Sequence, residues 1–357
     1  MNPPDSAYFN LLEPPDFMRL FMEFPPRSFE SRTDHNNYPL FLTDFDILTT
    51  LEQKLRGRIK TLPLFKHWSG LLKFPACFCG TTITEYAPVP ASAAPDDLPK
   101  ELKREFNNKS MIIIKDLPSS SPLLPEQDNA FCDELTAKSL DRGYIAAQGQ
   151  ALAYVPIDFA DQDEYLNRLS SSRRKDLRRK LKKLPELDIE TRPLGDAFFF
   201  QEDFLEQAYG LYLEVFKQSA VQFDLLSREF FRALLRSDSI DGVVFLYRHQ
   251  GRLAGYNICL ISNSMLIDKY IGLSYPLARQ LNLYFISWLV NLDYARQNGL
   301  SAYVAGWTDP EVKAALGARF TWTRHLIWIK NPLLRAVLSC LKPLFESDRQ
   351  IMEQRHV

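Results

Sequence analysis

The sequence has few of the residues that build metal centres or disulfide frameworks. Its 357 residues include five cysteines, an odd number, and five histidines that show no metal-ligand spacing. We therefore expect no disulfide framework and no metal site. The first residues, MNPPDSAYFN, lack the basic start and apolar core of a secretory signal, and no run of about 18 apolar residues is present to span a membrane. These absences predict a soluble, cytoplasmic protein.

The composition that remains is that of a folded chain. Hydrophobic residues make up 46% and aromatic residues 13%, which excludes global disorder, and the length favours two domains. The net charge is −1, but the cations are not evenly spread. The stretch SSSRRKDLRRKLKKL, residues 170–184, carries eight cations and one anion. The rest of the chain is acidic, so the whole surface is not a general binder of polyanions.

The second half of the sequence shows a clear order of elements. Periodicity and turn signals predict, in this order, a strand at 187–194, helices at 202–217 and 226–237, strands at 243–248, 253–261 and 265–271, a long helix at about 279–298, a strand at 300–305, a short helix with Asp309 as N-cap, and a strand at 320–329. A strand–helix–strand crossover after a meander places two parallel neighbours in a mixed sheet. These neighbours are expected to be 265–271 and 300–305.

This order resembles the acetyltransferase superfamily known as GNAT, and more closely its bacterial FemABX-like and CelD-like branch. The likeness covers about 160–330 and includes YLNRLSSSRRKDLRRKLKKL before the first strand and AGWTDPEVKAALGA after the last crossover. It implies an α/β fold with a mixed sheet and two tandem GNAT-like domains, the N-terminal one degenerate. The expected divisions are a first domain at 1–160, a basic connecting helix at 161–185, the acyltransferase domain at 186–330, and a C-terminal amphipathic helix and tail at 331–357.

The resemblance also implies where an acyl donor binds. In this fold the two parallel strands separate at their carboxyl ends and admit the pantetheine arm of an acyl-CoA, whose diphosphate rests on the amino end of the next helix. The residues that would bind this co-substrate are Lys269, Ile271, Ser274 as helix cap, Arg279 and Gln280. The usual signature, Gln or Arg followed by xxGxG or xxGxA, is missing, since RQLNLY has no glycine. Aminoacyl-tRNA, which the Fem relatives use, therefore stays an alternative donor, and Arg279 is alternatively a solvated arginine.

Transfer to an amine also needs a proton acceptor and stabilisation of an oxyanion. Asp268 is the candidate base or amine-positioning group, and the alternative is a surface carboxylate at a strand end. By the family likeness, Lys313 neutralises a phosphate or carboxylate of the substrate, and the alternative is a solvated helix lysine. The candidates for the acceptor pocket are Tyr275, Tyr284, Tyr303, Gly306, Trp307 and Thr308. Two of the four aromatic residues among them are expected to be structural.

Two amphipathic segments remain. The basic run is predicted to lie on one helix at 163–184, with its leucines on one face and a positive stripe on the other. This stripe would hold the phosphates of CoA, a tRNA or acidic lipid, with Arg173 and Arg178 as the anion-binding residues. The alternative is a solvated linker helix. The segment 331–345 is expected to form a helix that either packs on the body or lies on a membrane surface.

Three functions follow from these patterns. The leading hypothesis is an acyltransferase that moves an acyl group from acyl-CoA to an amine or hydroxyl by direct attack, with an envelope or polysaccharide precursor as acceptor and peripheral attachment to the inner membrane as a further hypothesis. The second is Fem-type transfer from aminoacyl-tRNA to a cell-wall precursor. The third is a catalytically inactive GNAT-fold binding module.

Overall fold

The structure is a computed structural model that describes residues 8–34, 37–50, 53–219 and 223–340. Strands and helices of the first half have the following bounds: β1 (Tyr8–Phe9), α1 (Pro15–Glu23), β2 (Glu30–Thr33), β3 (Pro39–Asp46), α2 (Gln53–Lys60), α3 (Phe65–Trp68), β4 (Lys73–Cys79), β5 (Val89–Pro90), α4 (Leu98–Glu105), β6 (Met111–Ser119), α5 (Glu126–Asp141) and β7 (Ile145–Pro156).

The second half continues with α6 (Gln162–Asn167), α7 (Ser171–Lys180), β8 (Asp188–Pro193), α8 (Glu202–Gln218), α9 (Arg228–Leu235), β9 (Gly242–His249), β10 (Arg252–Ser262), β11 (Met265–Leu273), α10 (Leu277–Gln280), α11 (Leu283–Gln297), β12 (Ala302–Gly306), α12 (Pro310–Ala315), β13 (Arg319–Ile329) and α13 (Pro332–Cys340). The order of strands and helices predicted from 187 to 329 is confirmed.

Both halves repeat one order of elements within a single mixed sheet. Among the described residues this sheet has eleven strands in the order β2-β3-β4-β6-β13-β7-β12-β11-β10-β9-β8. In each half an antiparallel meander is followed by a helix and a parallel strand, so β4 pairs with β6 as β11 pairs with β12. The last strands are exchanged: β13 pairs with β6, and β7 pairs with β12. The mixed α/β fold with tandem GNAT-like halves is therefore confirmed.

Helices cover both faces of this sheet. On one face of the second half, α8 and α9 bury Phe230, Phe231 and neighbouring aromatic side chains, and α1 from the first half packs on α9. On the other face, α11 buries Ile286, Leu289 and Leu292 against β9–β12. A third core lies between the first-half strands and the helices α4 and α5. Burial of both faces explains the nearly continuous apolar runs in β9 and β10.

The prediction of one helix at 163–184 was wrong. The chain forms α6 and α7 instead, with a break at 168–170 and a 3-10 turn at Leu181–Glu186. Serines prefer helix starts to helix interiors, and the run at 170–172 gives α7 a new beginning. Of the predicted apolar face, Leu166 and Leu177 are buried, but Leu184 is 37% exposed.

Three further details differ in part from the prediction. The long helix begins at Leu283, after the separate short helix α10, so Ser274 does not cap it. Asp309 is the N-cap residue of α12, as predicted, but its φ is +53° and its side chain makes no cap hydrogen bond. In the first half, YIAAQGQALAYVPI has the sequence pattern of a strand pair but forms the single strand β7, and the strands β2 and β3 were not predicted.

None of the helices in the described ranges combines the length and the apolar character that a bilayer crossing requires. The predicted C-terminal helix is present as α13, and its predicted continuation beyond residue 340 lies outside the described residues.

Candidate active site

A cleft opens where β11 and β12 separate. The two strands pair in parallel only from Met265 to Ile267, after which β11 continues to Leu273 while β12 ends at Gly306. The cleft encloses about 260 Å³. It is lined by Thr82, Ile83, Thr84, Glu85, Asp224, Asp268, Lys269, Tyr270, Ile271, Tyr284, Ser287, Trp288, Tyr303, Ala305, Gly306, Trp307, Thr308 and Lys313. The predicted parallel pair and its separation are confirmed.

A bulge in β11 aims the side chains of this strand. Tyr270 pairs with Ile258 and Asp268 with Cys259, so Lys269 is the extra residue between them. The side chain of Asp268 meets Tyr303 on β12, whereas that of Lys269 reaches two glutamates of the first half. The bulge therefore directs neighbouring charges to different walls of the cleft.

The carboxylate of Asp268 is held by three amide and hydroxyl donors. Asn257 donates to Oδ1 at 2.6 Å, the Tyr303 hydroxyl donates to Oδ2 at 2.7 Å, and Asn291 lies 3.4 Å from Oδ2. Asn291 also donates to Asn257 at 2.5 Å and to the Tyr303 hydroxyl at 3.1 Å. Burial raises the pKa of Asp268, while the hydrogen bonds from Tyr303 and Asn257 oppose that rise. The network fixes the carboxylate in one orientation.

Lys313 is the buried cation at the end of β12. Its side chain lies beneath Gly306 and donates to the carbonyl of Ala305 at 2.6 Å, and the residue is only 4% exposed. Desolvation lowers the pKa of Lys313 to about 8, although the charges of Asp268, Glu85 and Asp309 act in the opposite direction. At neutral pH most Lys313 side chains therefore keep their positive charge inside the cleft.

A second charged cluster joins the two halves of the chain. Lys269 Nζ lies 2.8 Å from Glu13 Oε1 and 2.6 Å from Glu85 Oε1, and all three side chains are almost fully buried. Burial raises the pKa of Glu85, with Glu13 adding to the rise and the cations Lys269 and Lys313 opposing it. Within the described structure, Glu85 Oε2 has no hydrogen-bond partner. The cluster thus brings an incompletely satisfied carboxylate to the cleft wall.

Asp224 is a further carboxylate of the cleft. It precedes α9 and faces Lys115 and Lys269 at longer range. Removal from water raises the pKa of Asp224 to about 6, against the opposing charge of Lys115. Because this value lies close to neutrality, Asp224 can accept or release a proton near physiological pH.

Most predicted site residues meet in this cleft. Asp268, Lys313, Lys269, Ile271, Tyr284, Tyr303, Gly306, Trp307 and Thr308 all line it. Tyr303 is also structural, because it is 1% exposed and bonded within the Asp268 network. The roles proposed for these residues stay predictions.

The other candidates for donor binding and for the acceptor pocket lie outside the cleft lining. They are the donor-binding candidates Ser274, Arg279 and Gln280 and the acceptor-pocket candidate Tyr275. Arg279 donates to Gln218 Oε1 at 2.5 Å and stacks over the ring of Tyr275 at 4.9 Å. The backbone N–H groups of residues 278–282 all bond to nearby carbonyls, so this turn offers none of those groups to a diphosphate.

The basic run lies beside the cleft helix. Lys180, at the end of α7, sits 3.3 Å from the ring centre of Phe285 in the first turn of α11. Arg178 pairs with Asp163 at 2.9 Å, whereas Arg173 and Lys175 are exposed and make no ion pair within the described chain. Through Lys180, α7 therefore lies beside the helix that carries Tyr284 into the cleft.

Several site residues were not predicted. Asn257 and Asn291 had a usable signal, since each is a polar residue inside an apolar run, YNICLI or WLVNL. Glu13 and Glu85 had none, because both come from the first half and reach the cleft only through tertiary folding. Asp224 follows a helix and carries no motif.

Comparison with known proteins identifies the family to which this chain belongs. The family model for FemAB-like proteins, described as peptidoglycan biosynthesis/recognition, matches residues 108–355. The chain belongs to the FemAB-like family. No curated protein matches this FemAB-like chain.

Solved structures share the fold at low sequence identity. The C-terminal domain of a putative lysylphosphatidylglycerol synthetase from Agrobacterium fabrum is 11% identical, with a TM-score of 0.53, and the match covers 93% of this chain and 97% of that one. L-PGS from Bacillus licheniformis is 10% identical, with a TM-score of 0.51 and coverage of 94% and 98%. FemX is 13% identical, with a TM-score of 0.52 and coverage of 94% and 96%. At these identities the likeness establishes the fold alone.

Proposed function

We propose that this FemAB-like chain is an acyltransferase whose reaction takes place in the β11–β12 cleft. An amine of a cell-envelope precursor attacks the acyl carbon of an activated ester or thioester, the new C–N bond forms, and the C–O or C–S bond to the donor breaks. The observation that carries the proposal is the meeting of Asp268, Lys313 and Glu85 at the point where two parallel strands separate. The family description and the fold neighbours support an envelope acceptor.

Each charged group has a role in this proposal. Lys313 would stabilise the oxyanion of the tetrahedral intermediate, because it is a buried cation beneath Gly306. Glu85 and Asp224 would hold the incoming ammonium and accept its proton, since Glu85 has an unbonded oxygen and the pKa of Asp224 is raised to about 6. Asp268 would act as a positioning residue, because three donors already occupy its oxygens. These carboxylates favour an amine acceptor over a hydroxyl.

For the donor, we propose aminoacyl-tRNA in preference to acyl-CoA. The N–H groups of residues 278–282, just before α11, are occupied, and the segment lacks the glycines of the acyl-CoA signature. The helix α7 lies against α11 through Lys180, and its exposed cations suit a phosphate backbone. One fold neighbour is, by its name, a putative synthetase of an aminoacylated lipid, which supports an aminoacyl donor. The separation of β11 and β12 taken by itself also suits acyl-CoA, which is therefore the alternative donor.

Parallel transfer assays test the proposal. The purified protein is incubated with a peptidoglycan precursor peptide that carries a free amine, together with either a charged tRNA pool or a set of acyl-CoAs, and acceptor mass is followed. We expect a mass increase of one aminoacyl residue with charged tRNA. Transfer from acyl-CoA alone would replace the donor assignment. Binding of the peptide without transfer from either donor would favour the inactive recognition module.

A further inference from the structure

One end of the sheet carries a surface that the cleft does not use. The Ser110 N–H donates to the carbonyl of Pro75 at 2.9 Å, and the Lys330 N–H donates to the carbonyl of Ser110 at 3.0 Å. The start of β4, the start of β6 and the end of β13 are therefore neighbours. The helical segment before β4 and the helix α13 after β13 leave the sheet at this same end.

Large apolar side chains are exposed at this end. Leu62 is 49% exposed and Leu64 71% exposed on the segment before β4, and Leu333 on α13 is 78% exposed. Leu140, at the end of α5, is 46% exposed. These are four of the six large apolar residues found exposed in the described ranges. Leu62 and Leu64 lie two residues apart on one segment, and exposed leucines this close together indicate a contact surface more strongly than single ones do.

The same region is basic. Residues 57–73 contain no aspartate or glutamate. Arg58, Lys60 and Lys66 are exposed, and none of them forms an ion pair with another described residue. Trp68 is half-buried, packs edge-on against Phe65, and donates through Nε1 to the carbonyl of Pro63 at 3.1 Å. Leucines, an indole and unpaired cations thus share one short segment.

We propose that this surface docks the protein on an anionic lipid bilayer. We call it the sheet-end patch and define it as Arg58, Lys60, Leu62, Leu64, Lys66 and Leu333. Its leucines enter the boundary between headgroups and acyl chains, and its cations lie at the lipid phosphates. A nucleic acid would satisfy the cations but would leave the leucines in water. A bilayer satisfies both features.

This inference is independent of the proposed function, although it agrees with an envelope acceptor. Along β7 the distance from Ile145, at the patch end, to Ala153, opposite Gly306, is roughly 26 Å at 3.3 Å per residue. Docking therefore leaves the cleft outside the lipid. The helix α7 is not part of the patch, and it packs on α6 and α11.

Vesicle flotation of the full chain tests the proposal. We expect flotation with vesicles of phosphatidylglycerol and phosphatidylcholine, and little with phosphatidylcholine alone. Leu62→Glu combined with Leu64→Asp should lower the bound fraction by about tenfold or more, because both leucines leave the lipid. Aspartate suits position 64, where φ is +56°. Replacing Arg58, Lys60 and Lys66 by alanine should weaken binding by about fivefold for each cation.

Two controls address other surfaces. Phe200→Ser removes an exposed ring (57%) of the second half, and Arg173→Glu with Lys175→Glu reverses charge on α7. Both should float like the wild type. The proposal is overturned if the leucine variant floats normally, if only the α7 variant loses binding, or if the chain retards tRNA through the patch cations without floating. Quenching of tryptophan fluorescence by brominated lipid gives a second readout in folded protein. The part of this quenching that comes from Trp68 should be lost in Trp68→Phe.

Discussion

The two halves of the sheet build different junctions from the same order of elements. In the first half, β4 ends at Cys79, the last residue that pairs with β6, and β6 then pairs with β13 as far as Ser119. In the second half, β11 continues beyond its last pair with β12, because β10 supports it as far as Leu273. The first junction is closed by the chain that leaves β4, where the Ala87 N–H donates to the carbonyl of Asp116 at 3.0 Å, and the second opens into a cleft.

The chain that follows the closed junction contributes residues to the open junction. The chain that leaves β4 crosses toward the second half, where residues 82–85 form a wall of the cleft and Glu85 meets Lys269. The hydroxyl of Tyr86, the next residue, forms hydrogen bonds with the hydroxyls of Ser121 and Thr321. These bonds fix the position of the crossing segment. A repeated fold unit can thus supply a wall to its partner rather than a second site.

The largest expected effect comes from the cation of the open junction. Lys313→Met should lower kcat/KM by about 10²–10³-fold, because it removes the charge proposed to stabilise the oxyanion. Asp116→Asn, at a buried carboxylate of the closed junction, is the matched control. It should lower the melting temperature and leave kcat/KM within about twofold. Equal losses in the two variants would contradict the difference between the junctions.

Removal of the fixed carboxylate should have a smaller effect. Asp268→Asn should reduce kcat by about 10–100-fold with little change in KM, because the amide cannot accept from Asn257 and Tyr303 together. It should also lower the free energy of unfolding by about 1–3 kcal/mol. Tyr303→Phe removes only one donor and should cost less in both measurements. A change confined to KM would show that Asp268 binds substrate instead.

The pH dependence of the transfer rate and that of the stability report separately on the catalytic and the structural effect of the buried Lys313. The pKa of Lys313 is about 8, so transfer should fall about tenfold per pH unit above pH 8 as the cation is lost. Stability should change in the opposite direction. The unfolded chain keeps a lysine protonated to about pH 10.4, so wild type should gain stability relative to Lys313→Met between pH 8 and 10. In Lys313→Arg the fall in transfer rate at alkaline pH should disappear. If the rate still falls in this variant, a group other than Lys313 causes the fall.

The smallest effects are expected when one glycine from each junction is replaced by alanine and the two variants are compared. Gly80 follows β4 with φ +111°, and Gly306 ends β12 with φ +78°. Alanine at either position should lower the free energy of unfolding by about 1–2 kcal/mol, because both conformations are unfavourable for residues with a Cβ atom. Only Gly306→Ala should also raise KM, since its Cβ would lie 3.9 Å from Lys313 Nζ. A KM effect from Gly80→Ala would move the site toward the first half.

The sequence was sufficient for the elements of the second half and for one wall of the cleft. Apolar periodicity located β9 to β12. The position of Asp268 near a strand end made it a candidate, the family likeness singled out Lys313, and both lie at the junction. The exchange of β7 and β13 was not predicted, because both are alternating strands that suit either half. Glu13 and Glu85 were missed because only the folded chain brings them to Lys269.

Photo-crosslinking tests the central comparison most directly. An aminoacyl-tRNA whose acyl group carries a diazirine is irradiated with the wild-type chain, and the labelled peptides are identified by mass spectrometry. Label is expected on residues 268–271 and 305–308 of the open junction, and on the wall at 82–85. Label on residues 111–119, without label on 268–271 and 305–308, would contradict the assignment of the acyl group to the β11–β12 cleft.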